Sequence, residues 1–184
     1  MYMTWLTMAA CCAALWAQSP TQGTFGSGMD LWAGVGHSSA VYFATPYIGA
    51  YPVDRVFAGA KITVGQAAFR VGNDTYLTAG PCTRFYFFPH KITPVVQAGL
   101  EYGVSTRAMR PFTAVHAGMG VSISVKKDFA VELLAQYMYF GAQITPERRG
   151  LDAFMVGAGF QGMVAKKKKK KTNVKKDPNV KKDP

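Results

Sequence analysis

The feature that most constrains this chain is a two-residue periodicity running through its second half. In 95–105, Val96, Ala98, Leu100, Tyr102 and Val104 alternate with Gln97, Gly99, Glu101, Gly103 and Ser105. In 113–125, Val115, Ala117, Met119, Val121, Ile123 and Val125 oppose His116, Gly118, Gly120, Ser122 and Ser124. In 130–140, Val131, Leu133, Ala135, Tyr137 and Tyr139 oppose Glu132, Leu134, Gln136 and Met138. In 152–164, Phe154, Val156, Ala158, Phe160 and Val164 oppose Asp152, Met155, Gly157, Gly159 and Gln161. Successive side chains of an extended strand point to opposite faces, so each segment is a strand with one apolar and one small or polar face.

The first half carries the same signal less cleanly. Leu31, Ala33 and Val35 alternate with Asp30, Trp32 and Gly34, and Ala58, Ala60, Ile62 and Val64 with Gly59, Lys61, Thr63 and Gly65. Leu77, Ala79, Phe85 and Phe87 oppose Tyr76, Thr78, Cys82, Arg84 and Tyr86. The weakest candidate is 40–51, which Pro46 interrupts; proline cannot donate to a ladder, so this strand is expected to be bent, short or bulged. Pro52 to Arg55, Pro89 to Pro94 and Lys126-Lys127-Asp128 read as tight turns at one rim. At the other rim, short loops are expected at 37–40, 67–74, 106–112 and 142–150.

Residues 18–164 offer 147 positions, room for eight strands and not for sixteen. Past the first 17 residues, no apolar run reaches the ~20 residues of a membrane-spanning helix. Strands of roughly 9–11 residues suit a tilted transmembrane strand, and an even number returns both chain ends to one side. A soluble barrel or sandwich is the alternative, but it needs its apolar face inside. Here Gly, Ser, Gln, Glu, Lys and Arg oppose the apolar face, which suits the interior of a small barrel with lipid outside. The expected fold is all-β, an eight-stranded antiparallel transmembrane β-barrel. Tyr86, Phe87, Phe88, Tyr137, Tyr139 and Phe140 are expected near the membrane interfaces, where aromatic girdles sit.

The segment from Met1 to Ala17 is apolar and uncharged, ends in small residues, and precedes polar Gln18-Ser19. It reads as a secretory signal peptide cut after Ala17, though it lacks the usual basic residue. Lipidation of Cys11 is the runner-up. Cys11 and Cys12 fall in this segment, so after cleavage Cys82 is alone and reads as a small packing residue. The organisation is then a signal peptide at 1–17, a linker at 18–28, a barrel at 29–164 and a Lys-rich disordered tail at 165–184.

The net charge of +11 belongs mostly to that tail: residues 166–184 hold ten Lys and two Asp, a net +8, leaving +3 elsewhere. A nucleic-acid binder would carry its basic stripe on the folded domain, so no nucleic-acid partner is expected. The run Lys166 to Lys171 precedes Asn173-Val174-Lys175-Lys176-Asp177-Pro178, repeated at once as 179–184. Such a segment is solvated, and contact with anionic lipid headgroups or cell-wall polymers is one expected use. A non-native origin of the repeat is the alternative.

With these residues in view, the chain resembles the outer-membrane β-barrel domain family of small eight-stranded OmpA/OmpX-type proteins. The resemblance covers about residues 25–164. It is carried by Tyr76 to Pro81, by Phe85-Tyr86-Phe87-Phe88-Pro89, by Pro94 to Gly103, and by the closing strand at Val156 to Phe160. It implies a closed antiparallel barrel in the Gram-negative outer membrane, in contact with outer-membrane lipids and, during biogenesis, with the barrel-insertion machinery. The family spans integrity factors, adhesins and a few enzymes, so it implies no single activity. Members often end at an aromatic residue; here Phe160 is followed by Gly162, Val164 and the basic tail.

The polar face collects Asp30, Lys61, Arg84, Glu101, His116 and Glu132, which a closed barrel would bring into one lumen. Buried opposite charges there must pair or stay hydrated. The expected role is a structural salt-bridge network; the sharper alternative is a gate in which Lys61 or Arg84 exchanges between Glu101 and Glu132 to open a narrow pore. Eight strands leave little free interior, so any conductance would be small. Catalysis is the remote alternative, as a lipid-modifying enzyme: His116 and Glu132 share a face with Ser122 and Ser124. However, Ser122 lies about 20 Å along the strand from His116. His37, His90 and His116 have no metal-site spacing, and no cofactor is expected. A non-enzymatic barrel with a structural or surface-interaction role is the first expectation. Protein recovered from a bacterial envelope should begin at Gln18 by mass spectrometry of its N-terminal peptide; a lipidated peptide beginning at Cys11 would establish the runner-up instead.

Overall fold

The computed structural model describes residues 20–36, 39–69, 72–106, 111–141 and 151–164. The expected signal peptide, the alternative lipidation at Cys11, the Lys-rich tail and the connections at 37–38, 70–71, 107–110 and 142–150 lie outside them. The rim of these four connections, which carries the longest of them, is the long-loop rim. The described residues form eight strands: β1 (Phe25–Gly36), β2 (Ser39–Val53), β3 (Val56–Phe69), β4 (Gly72–Tyr86), β5 (Ile92–Ser105), β6 (Pro111–Lys126), β7 (Phe129–Phe140) and β8 (Leu151–Val164). Each pairs antiparallel with its sequence neighbour, and β8 pairs with β1 to close the barrel. Closure runs in unbroken register from Phe25 opposite Val164 to Gly36 opposite Ala153. Among the described residues no segment is helical.

The strands are 12 to 16 residues long, more than the minimum for a tilted crossing. At about 3.3 Å per residue a 14-residue strand is about 45 Å long, so strand ends project past a ~30 Å hydrocarbon core even when tilted. Strand β1 begins at Phe25, inside the stretch expected to be linker, because it pairs with both Ala50 and Val164. Residues 20–24 are also tied down. The Gly23 and Arg55 amides donate to the Tyr51 and Pro20 carbonyls, and the Gln22 amide donates to Asp54 Oδ1 at 2.6 Å.

Pro46 does not shorten β2. It pairs in register with Met29 of β1, while pairing to β3 lapses between Ala44–Val64 and Tyr47–Lys61. A missing amide hydrogen removes a bond on one side only, so the strand survives on the other. The register shift in β2 falls instead between Ala50 and Val53, beside the turn where Arg55 takes a φ of 68°. Pro81 leaves the same kind of gap towards β5, between Ala79–Tyr102 and Cys82–Gly99.

Polarity is inverted relative to a soluble protein. Leu31, Ile48, Ile62, Leu77, Leu100 and Met119 are exposed on the outer wall. Exposed Tyr42, Tyr102, Tyr137 and Tyr139 gather near the long-loop rim, and Phe25, Phe85, Phe87, Phe88, Phe129 and Phe160 near the short-turn rim. Tyr86 and Phe140, expected in these girdles, point into the lumen at 2% and 0% exposure. The reason is the pleat: neighbours in a strand cannot share a face, so Tyr139 and Phe140 divide between lipid and interior.

Glycine on the inward face lets aromatic rings pack against the wall. At Gly28 a Cβ would lie 2.4 Å from the Tyr47 hydroxyl and 2.2 Å from the Phe160 carbonyl oxygen. Gly28→Val should therefore displace Tyr47 and cost about 1–3 kcal/mol, as overpacking does. The measure is the urea midpoint of the compact, unheated band on detergent gels; an unchanged midpoint would refute this packing.

Candidate functional site

The inward face of the barrel is layered. Near the long-loop rim, Phe43, Tyr76, Phe112 and Phe140 form an aromatic cluster, with ring centroids 5.4 Å apart for Tyr76–Phe140 and 5.8 Å for both Tyr76–Phe112 and Phe112–Phe140. Near the short-turn rim, Phe57 packs edge-on against Tyr47 at 5.6 Å and Tyr51 at 5.5 Å, and Tyr51 lies 6.1 Å from Tyr86. Edge-to-face arrangements at these separations set the positive ring edge against the negative ring face. Between the two layers lie the buried charges.

Alternation on six different strands delivers these charges: Asp30 on β1, Lys61 on β3, Arg84 on β4, Glu101 on β5, His116 on β6 and Glu132 on β7. All six are buried, none more than 6% exposed. Arg84 is the centre. Its Nη2 donates to Asp30 Oδ2 and its Nη1 to Glu132 Oε2, so one guanidinium bridges carboxylates from two other strands. Nη1 also donates to the Tyr47 hydroxyl at 2.8 Å, and Arg84 Cζ stands 4.1 Å from the centroid of the Tyr47 ring. A planar, delocalised cation suits this setting because it can serve several acceptors and a ring face at once.

A second pair lies alongside. Lys61 Nζ is 2.7 Å from Glu101 Oε1, and the Thr78 hydroxyl donates to Glu101 Oε2. His116 Nε2 is 3.6 Å from Glu101 Oε1, beyond hydrogen-bond reach, and neither His116 ring nitrogen has a hydrogen-bond partner. The two cations therefore hold separate carboxylates: Lys61 holds Glu101, and Arg84 holds Asp30 and Glu132. Within the pore alternative, this is the state before any exchange.

Several groups in the network were not singled out from the sequence. The Tyr86 hydroxyl reaches Glu132 Oε1 at 2.8 Å and Gln161 Oε1 at 3.0 Å and can give its single proton to one at a time; the Tyr51 hydroxyl donates to Gln161 Oε1 at 2.8 Å. Gln97 Nε2 donates to Gln136 Oε1 at 2.9 Å over Gly118 of the intervening strand β6. Alternation did place Tyr86 on the face of Arg84, but only closure brings it to Glu132, 46 residues away. Tyr47 was hidden by the irregular reading around Pro46.

The arrangement offers little chemistry beyond pairing. Ser122 pairs in register with Glu132, and His116 with Met138, so His116 and Ser122 stay at different heights of β6. Beneath Tyr86 the lumen leads to a recess of about 10 Å³ lined by Pro20, Tyr86, Thr93, Ser122, Gln161 and Met163. That is room for about one water.

An eight-stranded antiparallel barrel, apolar outside, with charges and aromatics inside, has the architecture of the small outer-membrane barrels. Among solved structures, the chain is similar to Neisserial surface protein A, with a TM-score of 0.62 at 12% identity over 77% of this chain and 99% of that one. It is also similar to the outer membrane enzyme PagL, with a TM-score of 0.59 at 10% identity over 72% of this chain and 97% of that one. The outer membrane protein OprG from Pseudomonas aeruginosa gives a TM-score of 0.54 at 8% identity, over 81% and 99%. At these identities the likeness is one of fold. No protein-family model and no curated protein matches the chain.

Removing Arg84 alone would leave Asp30 and Glu132 buried without their cation. Arg84→Met should lose about 3–5 kcal/mol, whereas adding Asp30→Asn and Glu132→Gln should restore most of it. Urea titration of the folded band measures both; equal stability of Arg84→Met and the unsubstituted protein would remove the network from any structural role.

Proposed function

We propose that this protein is a non-enzymatic barrel of the bacterial outer membrane with a structural or surface-interaction role, its lumen sealed by the network around Arg84. The observation that carries the reading is the layering of the interior. Asp30, Lys61, Arg84, Glu101, His116 and Glu132 lie between two aromatic clusters, so the charges stabilise the closed state from within and line no open path. The outer wall, apolar from rim to rim with aromatics at both ends, supports contact with outer-membrane lipids. Biogenesis then requires export, which the segment at 1–17 would supply, and insertion by the barrel-assembly machinery.

The charge-gated pore is the second reading, because two cations and three carboxylates in one lumen supply the groups that an exchange would need. For ions to pass, Arg84 would have to leave two carboxylates and Tyr47 together, and both aromatic layers would have to part. That combination argues for a sealed barrel. Catalysis has weaker support, because His116 makes no hydrogen bond to a serine or a carboxylate; the enzyme among the similar structures shares only the fold.

Refolded protein in planar bilayers should show no discrete conductance, and Arg84→Ala should not create a stepwise one. Regular opening steps that vanish in Arg84→Ala would instead establish the gate. The barrel is checked separately by heat-modifiable migration in detergent. A chain that stays soluble without detergent and shows no mobility shift would defeat the membrane reading altogether.

A further inference from the structure

The short-turn end of the lumen is covered by a piece of chain that belongs to none of the eight strands. β1 begins at Phe25, and the residues before it would lead straight out of the barrel if they continued the strand. Instead the Thr24 amide donates to the Thr21 carbonyl at 3.1 Å and Gly23 takes a φ of 82°, so Thr21 to Thr24 form a tight turn with a left-handed third residue. The turn is tied to β2 and to the connection that follows it. The Gly23 amide donates to the Tyr51 carbonyl and the Tyr51 amide to the Thr24 carbonyl, each at 2.9 Å. The Arg55 amide donates to the Pro20 carbonyl at 3.2 Å, and the Gln22 amide to Asp54 Oδ1.

This turn carries Pro20 across the mouth. Its carbonyl is held at the β2–β3 connection, yet Pro20 lines one recess with Tyr86 of β4, Thr93 of β5, Ser122 of β6, Ala130 of β7 and Gln161 of β8. The Tyr86 hydroxyl, within reach of both Glu132 and Gln161, is where the buried network meets that recess. The turn itself is lightly held. Thr21, Gln22 and Gly23 are exposed, and a Cβ at Gly23 would meet no described atom within 4 Å. Exposed backbone hydrogen bonds with little apolar surface packed around them open more readily than core strands do. β1, by contrast, is paired along its whole length on both sides.

We propose that residues 20–24 are a strap that closes the short-turn mouth of the lumen, and that its release admits water to the Tyr86 end of the network while the barrel stays folded. The proposal rests on the sealed-barrel reading and adds where the seal opens. Two closures lie in series, the strap outside the recess and the rings of Tyr51, Phe57 and Tyr86 inside it. Lifting the strap leaves the Arg84 ion pairs in place, so it needs none of the exchange that a pore would require.

The test puts a thiol in the recess by Ser122→Cys in the full chain, refolded in detergent, and follows its reaction with a small water-soluble methanethiosulfonate. Labelling is read peptide by peptide by mass spectrometry. The native Cys82, buried in the lumen beyond Arg84 on β4, then reports opening of the whole barrel. Gly23→Val opposes the left-handed turn without a steric clash, and should raise the rate at residue 122 about tenfold with Cys82 still protected. Gly23→Asn, whose side chain tolerates that conformation, should react nearly as slowly as the chain with Gly23. Asp54→Ala removes the side-chain acceptor of the Gln22 amide and should raise the rate about threefold, and it decides the matter if Gly23→Val does not fold. Equal rates at residue 122 in all of these chains would overturn the strap, as would a rate with Gly23 that already matches an unfolded peptide. Equal acceleration at residue 122 and Cys82 would overturn it too, because the barrel and not the strap would then be opening. Free reaction of Cys82 without a heat-modifiable band, before any change at Gly23, would instead refute the sealed barrel on which the proposal depends.

Discussion

Everything in this molecule depends on closure of β1 against β8. Twelve consecutive residues of β1 find register partners in β8, from Phe25–Val164 to Gly36–Ala153, so the sheet has no free edge. In hydrocarbon an unpaired amide or carbonyl costs several kcal/mol, and only a closed sheet satisfies all of them without water. Closure also defines an inside. Residues that would have been one face of an open sheet become the lining of a space that side chains nearly fill, where opposite charges must pair or stay hydrated.

That obligation explains the composition of the lumen. Two cations and three carboxylates are held in separate groups, Arg84 with Asp30 and Glu132, and Lys61 with Glu101. Tyr47 and Tyr86 tie the Arg84 group to the aromatic layer beneath it, through the Arg84–Tyr47 and Tyr86–Glu132 hydrogen bonds. His116 apart, the ion pairs of this cluster favour one arrangement of their strands over its alternatives, because a slip of one residue would turn charges to lipid. The same inward glycines that admit the Tyr47 ring, Gly28 above all, keep the wall thin where the ring meets it.

Much of this was legible in the sequence, for a reason that can be named. The period of a strand is two, and lipid favours an apolar residue at outward positions, so the alternation in β5 to β8 is nearly unbroken. Asp152, expected opposite Phe154, shares its parity and stands on the outer wall, where it accepts from the Tyr137 hydroxyl at 2.7 Å. In β2 the reading weakened at Pro46, since the sequence shows the missing amide hydrogen but not which neighbour forgoes it; β1 keeps its pairing and β3 yields. The start of β1 at Phe25 was also hidden, because Gly26 and Gly28 look like linker until β2 and β8 lie beside them. Tyr86 and Phe140 have the composition of a girdle near their strand ends, but the parity of their positions turns them into the lumen.

The sequence by itself determined the number of strands, the lipid-facing side of every strand but β2, and six of the charged residues that are buried, because these follow from local alternation and chain length. Asp74, also buried, falls in a stretch that reads as loop. Only the tertiary structure decided who pairs with whom. Arg84 chooses Asp30 and Glu132, 54 and 48 residues away, because barrel register sets strands β1, β4 and β7 to one height, and no local pattern encodes that height. The aromatic layers above and below that height have the same origin: rings from β2, β4, β6 and β7 meet at one rim and rings from β2, β3 and β4 at the other only once the sheet is curved and closed.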